Sequence, residues 1–343
     1  MTRVELPHPG PPTDAQLCSA IDSELTVSMP GTRVRSVRRQ PAAYRASFHL
    51  EELDVELDDG RMIPMMFKDV GGLVGPSRQV KPPFLHDPLR EITVYKFLLQ
   101  PARFNTPVCY GALASIADHR YWLFLERVAG LQLRECGEFD RWQQAAAWLA
   151  RLHSEFAPQA ASLRGRERLL RLDRNYFAMW MPRAVRTVTD PAAKRFLQRL
   201  ASRYETVVER LASLPVTLIH GEFYPSNILV RDVSGDVAPV DWEMAAIGPG
   251  IIDLAALVTG WPEAEALALT RTYFDAARAP LSLTSFEHLT SVMDCARLHF
   301  AVQWLGWSAD WEVPAEHRHD WSQAALALAE RVMPRHQRAN RQE

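Results

Sequence analysis

A histidine, a glutamate and an asparagine lie between two apolar runs in LIHGEFYPSNILV, residues 218–230. Glu222 follows His220 by two positions, and Asn227 follows Glu222 by five. A carboxylate at such a place can receive the proton of an acceptor hydroxyl, and an amide oxygen nearby can bind a cation. The spacing indicates a phosphoryl-transfer loop with Glu222 as its base, although aspartate is the usual residue there.

Three more charged residues complete the set that phosphoryl transfer from a nucleotide requires. Asp241 follows the next apolar segment, and with Asn227 it offers the oxygen ligands that Mg²⁺ prefers. Lys68 lies in a predicted strand and Glu91 in the first turns of a predicted helix. A lysine on the phosphates, held by a helix glutamate, is the remaining part of such a site. Each residue alone is more often structural, so the prediction depends on their joint order and spacing.

The strands that would position the lysine come first in the chain. FHLEELDVEL alternates apolar and acidic residues, residues 58–60 read Asp-Asp-Gly, and RMIPMMFKDV carries the lysine. Alternation on both sides of a turn signal predicts a β-hairpin. PVCYGALAS and YWLFLERV predict two further strands.

Helical patterns surround and follow these strands. DPLREITVYKFLL predicts the helix of Glu91, with Asp87 as its N-cap and Pro88 at its first position. Later, FDRWQQAAAWLARLHSEF has an apolar stripe at helical spacing. Further helices are predicted around residues 192–213, 262–278, 285–306 and 322–333.

The chain of 343 residues is longer than one hydrophobic core usually supports, so two domains are expected. We place an N-terminal nucleotide-binding lobe at residues 1–128 and a helical C-terminal lobe at residues 129–343. The second lobe would hold one β-rich hairpin, formed by residues 218–230 and 237–257 around the turn DVSGD.

Composition excludes several classes of function. The chain is 47% hydrophobic and 23% charged with a net charge of −2, so it has no general electrostatic attraction for nucleic acid or anionic membranes. Four well-separated cysteines form no CxxC pair, which argues against zinc and against a disulfide framework. The string EHRHD could bind a metal through His317, His319 and Asp320, but it has no evident fourth ligand. Without an apolar leader or spanning stretch, a cytoplasmic protein of unknown oligomeric state is expected.

HGEFYPSN followed by VDWEMAAIGPGIIDLA resembles the aminoglycoside phosphotransferase and choline kinase-like family of small-molecule kinases. The family pattern has an asparagine five residues after the catalytic acid, then Asp-Trp/Phe-Glu/Asp and a downstream Asp-Leu. FKDV, REITVYKFLL and LFLERVAG are similar to its upstream parts. The resemblance covers about residues 35 to 306 and implies an α+β, two-lobed protein-kinase-like fold, with an antiparallel sheet lobe and a mostly helical lobe.

The resemblance also implies how a nucleotide, ATP or GTP, would bind. Lys68 would contact the α- and β-phosphates and pair with Glu91, while backbone groups of Glu126 and Val128 would contact the purine. The nucleotide-covering loop would lie in RRQPAAYRASF, which contains no glycine. Close approach of backbone to phosphate usually needs glycine, so Ser47 and nearby amides, with Arg45, are expected to take its place.

For the catalytic part, the resemblance implies that Glu222 takes the base position and that Asn227 and Asp241 hold Mg²⁺. His220 and Asp253 would brace the loop rather than touch substrate. Closure of the lobes about a hinge near residues 125–129 would exclude water from the reaction.

The acceptor would be a hydroxyl on a small molecule, such as an aminoglycoside-like compound, an amino alcohol or another metabolite. Trp307, Asp310 and Trp311 are its candidate binding residues, through cation–π contact and charge, although core packing is the default for such aromatics. A pseudokinase that binds nucleotide or another ligand with weak or no turnover is the alternative. A protein kinase is disfavoured because only a short segment separates Asp241 from Gly250.

Overall fold

The computed structural model describes residues 10–42, 47–74, 81–165, 168–277, 281, 285–307 and 319–333. Contacts divide the chain into two compact units. The first unit combines Met1–Leu131 with Leu229–Glu243, and the second combines Gln132–Ile228 with Met244–Glu343. The segment that carries Asp241 therefore belongs to the first unit, although more than two hundred residues precede it in the chain.

A five-stranded antiparallel sheet forms the body of the first unit. Its strands are β1 (Val34–Pro41), β2 (Phe48–Leu57), β3 (Met62–Leu73), β4 (Cys109–Ser115) and β5 (Arg120–Glu126). Their order in the sheet is β1-β2-β3-β5-β4. The hairpin predicted from the alternating residues is confirmed as β2 and β3, and the two later strands are confirmed as β4 and β5.

One face of this sheet is covered by a helix, α1 (Asp14–Ser28), that sequence reasoning missed. Leu17, Ile21 and Leu25 of α1 are buried in a cluster with the inward residues of β2 and β3. The signal was present, because these residues follow helical spacing and Thr13 forms a capping box at the start of the helix.

The helix of Glu91 begins later than predicted. Asp87 does not cap it; its Oδ1 accepts the backbone N–H of Leu89 at 2.9 Å, which makes a turn instead. Helix α2 then runs over Arg90–Val94 and continues as one wider turn, Tyr95–Leu99, and a final turn, Gln100–Ala102.

Helices dominate the second unit, as predicted. They are α3 (Phe139–Phe156), α4 (Ala160–Leu163), α5 (Arg174–Thr187), α6 (Pro191–Ala201), α7 (Glu205–Ala212), α8 (Ile251–Val258), α9 (Glu263–Ala276), α10 (Phe286–Leu305) and α11 (Trp321–Val332). None of the helices in the described ranges is both long enough and apolar enough to cross a membrane.

Two of these helices correct the sequence analysis. The expected β-rich end of residues 237–257 is helix α8, whose eight residues are all buried, so it has no polar face to reveal helical periodicity. Helix α5 was not predicted, and Pro182 within it is a residue that usually ends a helix.

Short strands form two three-stranded sheets. They are β6 (Gly130–Gln132), β7 (Leu170–Arg171), β8 (Val216–Ile219), β9 (Ile228–Arg231), β10 (Val237–Pro239) and β11 (Ala246–Pro249). The orders are β10-β9-β6 and β7-β11-β8. The predicted hairpin is therefore β9 with β10, while β8 pairs with β11.

Candidate functional site

Three of the predicted residues meet inside the first unit. Lys68 projects from β3, Glu91 from α2, and Asp241 lies just after β10. The Lys68 ammonium donates to Glu91 Oε2 at 2.7 Å and to Asp241 Oδ1 at 2.6 Å. Glu91 Oε1 in turn accepts the backbone N–H of Trp242 at 3.2 Å. One lysine is thus held between a helix carboxylate and the carboxylate predicted to bind metal.

Burial and charge act against each other in this cluster. Burial by itself lowers the pKa of Lys68, but the attraction of Asp241 and Glu91 outweighs it, and the pKa of the lysine is raised. Burial raises the pKa of Glu91 against the opposing effect of the lysine. The Asp241 side chain is 25% exposed, against 5% for Lys68, so the cluster is open to solvent on the side of Asp241.

Asp241 also has an unusual backbone. Its φ of 64° lies in the left-handed region, which aspartate tolerates better than most residues. Such a conformation costs on the order of 1–3 kcal/mol and occurs often at functional sites. The neighbouring Trp242 is fully buried and donates its indole N–H to the carbonyl of Pro239 at 3.3 Å. The buried indole anchors the turn that presents Asp241.

Glu126, predicted to contact the purine through its backbone, uses its side chain to hold the unit together. Its carboxylate accepts two hydrogen bonds from Arg231, one of them at 2.9 Å, and a third from the N–H of Val108 at 3.1 Å. The Arg231 hydrogen bonds lower the pKa of Glu126. Val128 is half-buried at the end of the same segment. The purine contacts of Glu126 and Val128 stay a prediction.

Ser47 immediately precedes β2, and its carbonyl accepts the N–H of Val74 at 2.9 Å. This hydrogen bond extends the hairpin of β2 and β3 by one residue pair. Arg45, its proposed companion on the phosphates, lies outside the described residues. The phosphate contact of Ser47 stays a prediction.

The loop with Glu222 lies in the second unit, between β8 and β9. The Glu222 carbonyl accepts the N–H of Tyr224 at 2.7 Å and the Asn227 Nδ2 group at 3.0 Å. The Glu222 N–H donates to His220 Nδ1 at 3.3 Å. Because Asn227 donates through Nδ2, its Oδ1 is the atom suited to bind a cation.

Asp253, in the first turn of α8, fixes the backbone of this loop. Its fully buried carboxylate accepts the backbone N–H of His220 at 2.6 Å and of Gly221 at 2.8 Å. His153 Nε2 lies 3.3 Å from the same carboxylate, and His153 Nδ1 shares a hydrogen bond with the Tyr273 hydroxyl at 2.9 Å. Both ring nitrogens of the buried His153 therefore have partners in the core.

Gly221 in this loop has no room for a side chain. Its φ is +86°, and a Cβ built on it would lie 2.2 Å from the carbonyl oxygen of Met244. A side chain here would meet both backbone strain and a direct clash with backbone. The conformation of the loop thus depends on this glycine and on Asp253 together.

The predicted oxygen ligands for Mg²⁺ are the Asp241 carboxylate in the first unit and the Asn227 amide in the second. Carboxylate and amide oxygens that leave room for phosphates and water fit Mg²⁺ rather than a soft metal. Within the described ranges, no group of three or more His, Cys, Asp or Glu side chains could hold a metal by itself. That Asn227 and Asp241 share one ion stays a prediction.

The alternative metal pattern near the C-terminus is only partly described. His317 lies outside the described residues, and Asp320 is the N-cap of α11, accepting the N–H of Gln323 at 2.9 Å. Asp320 therefore has a structural role that needs no metal.

Of the three predicted acceptor-binding residues, only Trp307 is described. Its ring stacks parallel on Trp180 with centroids 5.8 Å apart, and its carbonyl accepts from Arg183 at 3.0 Å. Asp310 and Trp311 lie outside the described residues. The contact of Trp307 with an acceptor stays a prediction.

The structure thus joins Lys68, Glu91 and Asp241 in one unit, and His220, Glu222, Asn227 and Asp253 in the other. Sequence reasoning missed Lys81 and Glu243, which form a buried ion pair in the first unit. Glu243 could have been found from the Asp-Trp-Glu motif, whereas Lys81 has no local signal.

Solved structures with a similar fold cover nearly the whole chain. A putative aminoglycoside phosphotransferase from Ralstonia eutropha has a TM-score of 0.58 and 13% identity, covering 92% of this chain and 96% of its own. The GDP complex of aminoglycoside 2'-phosphotransferase-IIIa has a TM-score of 0.54 and 14% identity, covering 94% and 98%. Choline kinase LicA from Streptococcus pneumoniae has a TM-score of 0.54 and 13% identity, covering 92% and 98%. These similarities confirm the predicted α+β, two-lobed protein-kinase-like fold.

Sequence comparison points to the same group of proteins. Among curated proteins, no relative matches the sequence. The profile of the "Phosphotransferase enzyme family" does match, over residues 81–286, which is more than half of the chain. The matched range includes Glu91, Glu222, Asn227 and Asp241. The chain therefore belongs to the phosphotransferase enzyme family.

Proposed function

We propose that this protein transfers the γ-phosphoryl group of ATP or GTP to a hydroxyl of a small molecule. The observation that carries the proposal is the buried Lys68, held between Glu91 on a helix and Asp241 on a left-handed turn. A lysine with this pair of partners is the arrangement that phosphoryl transfer uses to orient nucleotide phosphates beside a metal.

The residues of the chain then have distinct tasks. Lys68 orients the nucleotide phosphates, and Glu91 keeps its ammonium in place. Asp241 and Asn227 would hold Mg²⁺, which supplies positive charge against the charge that develops on the leaving phosphate oxygen. Glu222 accepts the proton of the acceptor hydroxyl as that oxygen bonds to phosphorus. Asp253 keeps the backbone of His220 and Gly221 in position.

The acceptor is proposed as a class rather than as one compound. Similar structures include aminoglycoside phosphotransferases and a choline kinase, so amino sugars and amino alcohols are the first compounds to try. Trp307, with Asp310 and Trp311, would contact the acceptor through aromatic faces and a carboxylate. Replacement of Trp307 by alanine should then raise the KM for the acceptor more than that for the nucleotide.

The test is a transfer assay with ATP and GTP against a panel of amino alcohols, amino sugars and other hydroxyl metabolites. Nucleoside diphosphate release that depends on both Mg²⁺ and one acceptor is the expected result. Asp241→Asn should lower kcat by at least about 10²-fold, because asparagine accepts the left-handed backbone but lacks the charge. An Asp241→Asn variant with the wild-type rate contradicts the proposed metal site.

A pseudokinase is the second candidate. It is favoured by glutamate at position 222 and by the glycine-free segment 38–48. Nucleotide binding measured by calorimetry, without turnover on any acceptor of the panel, would support this candidate over the enzyme.

A further inference from the structure

A second lysine is buried beside the predicted phosphate site. The Lys81 ammonium pairs with Glu243 Oε2, and the two side chains are 5% and 8% exposed. Lys68 is equally buried, at 5%. The two ammonium groups lie over the same aromatic ring, since Lys68 Nζ is 5.0 Å and Lys81 Nζ is 5.8 Å from the centroid of Phe48. The first unit thus gathers two buried lysines around one phenylalanine.

The carboxylates that pair with the two lysines lie on the same short turn. Asp241 holds Lys68, and Glu243, two residues later, holds Lys81. The backbone of Glu243 is fixed as well, because its carbonyl accepts from the Arg90 guanidinium at 2.6 Å. Glu243 also adds to the attraction that raises the pKa of Lys68, so the two pairs lie within electrostatic reach of each other.

Stability alone does not explain a second buried pair. Desolvation of two charges offsets much of their attraction, and apolar residues of similar volume often replace such pairs at no cost. A buried ammonium therefore suits a site that must meet negative charge. The nucleotide-covering segment 38–48 has no glycine to bring backbone amides close to phosphate. Side-chain cations such as Lys68 and Lys81 can supply positive charge to the phosphates in place of those amides.

We propose that Lys81 is a second phosphate-binding lysine, whose ammonium exchanges Glu243 for an oxygen of the nucleotide triphosphate. The proposal rests on the proposed function, because it concerns the same nucleotide site. Lys81 acts by binding and orienting the phosphates, and no covalent bond forms or breaks at its nitrogen.

The experiment compares the affinities of Mg–ATP, Mg–GTP and adenosine or guanosine, measured by calorimetry for the wild type and for Lys81→Met. Loss of one charge-assisted hydrogen bond should weaken the better nucleotide by about tenfold or more and leave the nucleoside unchanged. Lys81→Arg keeps the positive charge and should recover part of the loss. The matched control is Lys96→Met, since Lys96 is also ion-paired, with Glu24, but is 33% exposed in α2.

A second variant covers the case in which Lys81→Met does not fold. Lys81→Gln with Glu243→Gln removes both charges and leaves no unpaired buried ion. The affinity of this double variant for ATP is measured in EDTA, which excludes any effect on bound metal. It should be lower than the affinity of the wild type in EDTA by the same factor. Triphosphate affinity equal to wild type in either variant overturns the proposal, as does an equal loss for triphosphate and nucleoside. If the wild type itself binds no nucleotide, the proposed function fails, which is a different outcome.

Discussion

Both backbone polar groups of Glu222 are hydrogen-bonded. Its N–H donates to His220 Nδ1, and its carbonyl accepts from Tyr224 and Asn227. With the backbone fixed, the place of the carboxylate depends on the length of the side chain. A shift of 1 Å in a catalytic group can cost about 10²-fold in rate. For Glu222 as the proposed base, the extra methylene is therefore either matched by the position of the acceptor or lowers the rate.

Two substitutions at Glu222 separate these cases. Glu222→Gln removes the base but keeps the shape, so kcat should fall by about 10²–10⁴-fold with little change in the KM for nucleotide. Glu222→Asp should lower kcat if the acceptor position is adapted to glutamate, and raise it if it is not. Single-turnover and steady-state rates measure both, with thermal unfolding as the control for folding. A wild-type rate for Glu222→Gln would show that another group takes the proton.

At the scale of elements, α10 is fixed in the second unit by a buried histidine. His299 is 1% exposed, and its Nδ1 lies 2.7 Å from the Tyr204 hydroxyl. Its ring packs edge-on against the ring of Phe177, with the two centroids 4.9 Å apart. Burial lowers the pKa of His299 to about 3, so its ring is neutral in the folded protein at ordinary pH. The contact of α10 with α5 thus requires an uncharged imidazole.

This neutral histidine predicts acid sensitivity. The ordinary pKa of histidine is 6.5, so between pH 6.5 and about 3 the unfolded chain binds a proton at His299 that the folded chain does not. Its contribution to the free energy of unfolding therefore falls as pH falls below 6.5, by up to about 1.4 kcal/mol per pH unit.

His299→Gln keeps a polar partner for Tyr204 without a titrating ring. The difference in unfolding free energy between wild type and His299→Gln should therefore shrink as pH falls from 7 to 4, measured by urea unfolding at each pH. His288→Gln, at an exposed position of the same helix, is the control for removing a histidine from α10. A difference that stays constant with pH would show that His299 does not resist protonation.

At the scale of the whole molecule, the predicted site residues are divided between two compact units. Lys68, Glu91 and Asp241 belong to the first, and Glu222 and Asn227 to the second. The return of residues 229–243 to the first unit places the metal-binding candidate Asp241 beside the lysine, although Asn227 is only fourteen positions before it in the chain.

Nucleotide binding should raise the stability of the folded protein. A ligand that binds only the folded state adds about 2.7 kcal/mol to the free energy of unfolding when its concentration is one hundred times its Kd. We expect Mg–ATP or Mg–GTP to raise the melting temperature of the wild type. The same concentration of nucleotide should leave the melting temperature of Lys68→Met unchanged. Scanning calorimetry measures both, and it shows whether one unfolding transition moves or two. No rise for the wild type at any concentration would exclude both the kinase and a pseudokinase that binds nucleotide.

The sequence by itself determined the features that depend on neighbouring residues. Alternation identified β2 and β3, apolar spacing identified α3, and the spacing from Glu222 to Asn227 and then to Asp241 indicated the chemistry and the family. These signals are local because a strand, a helix and a loop each impose a period or a fixed separation on the residues within them.

The tertiary structure decided what depends on distant parts of the chain. The pairing of Lys81 with Glu243 joins residues 162 positions apart, and the carboxylate of Asp253 meets the loop of His220 from a helix that sequence patterns did not show. A buried ion pair leaves no periodic trace in the sequence, and a helix buried on every side has no polar face to mark it. Only packing brings such groups together, so only the folded chain shows them.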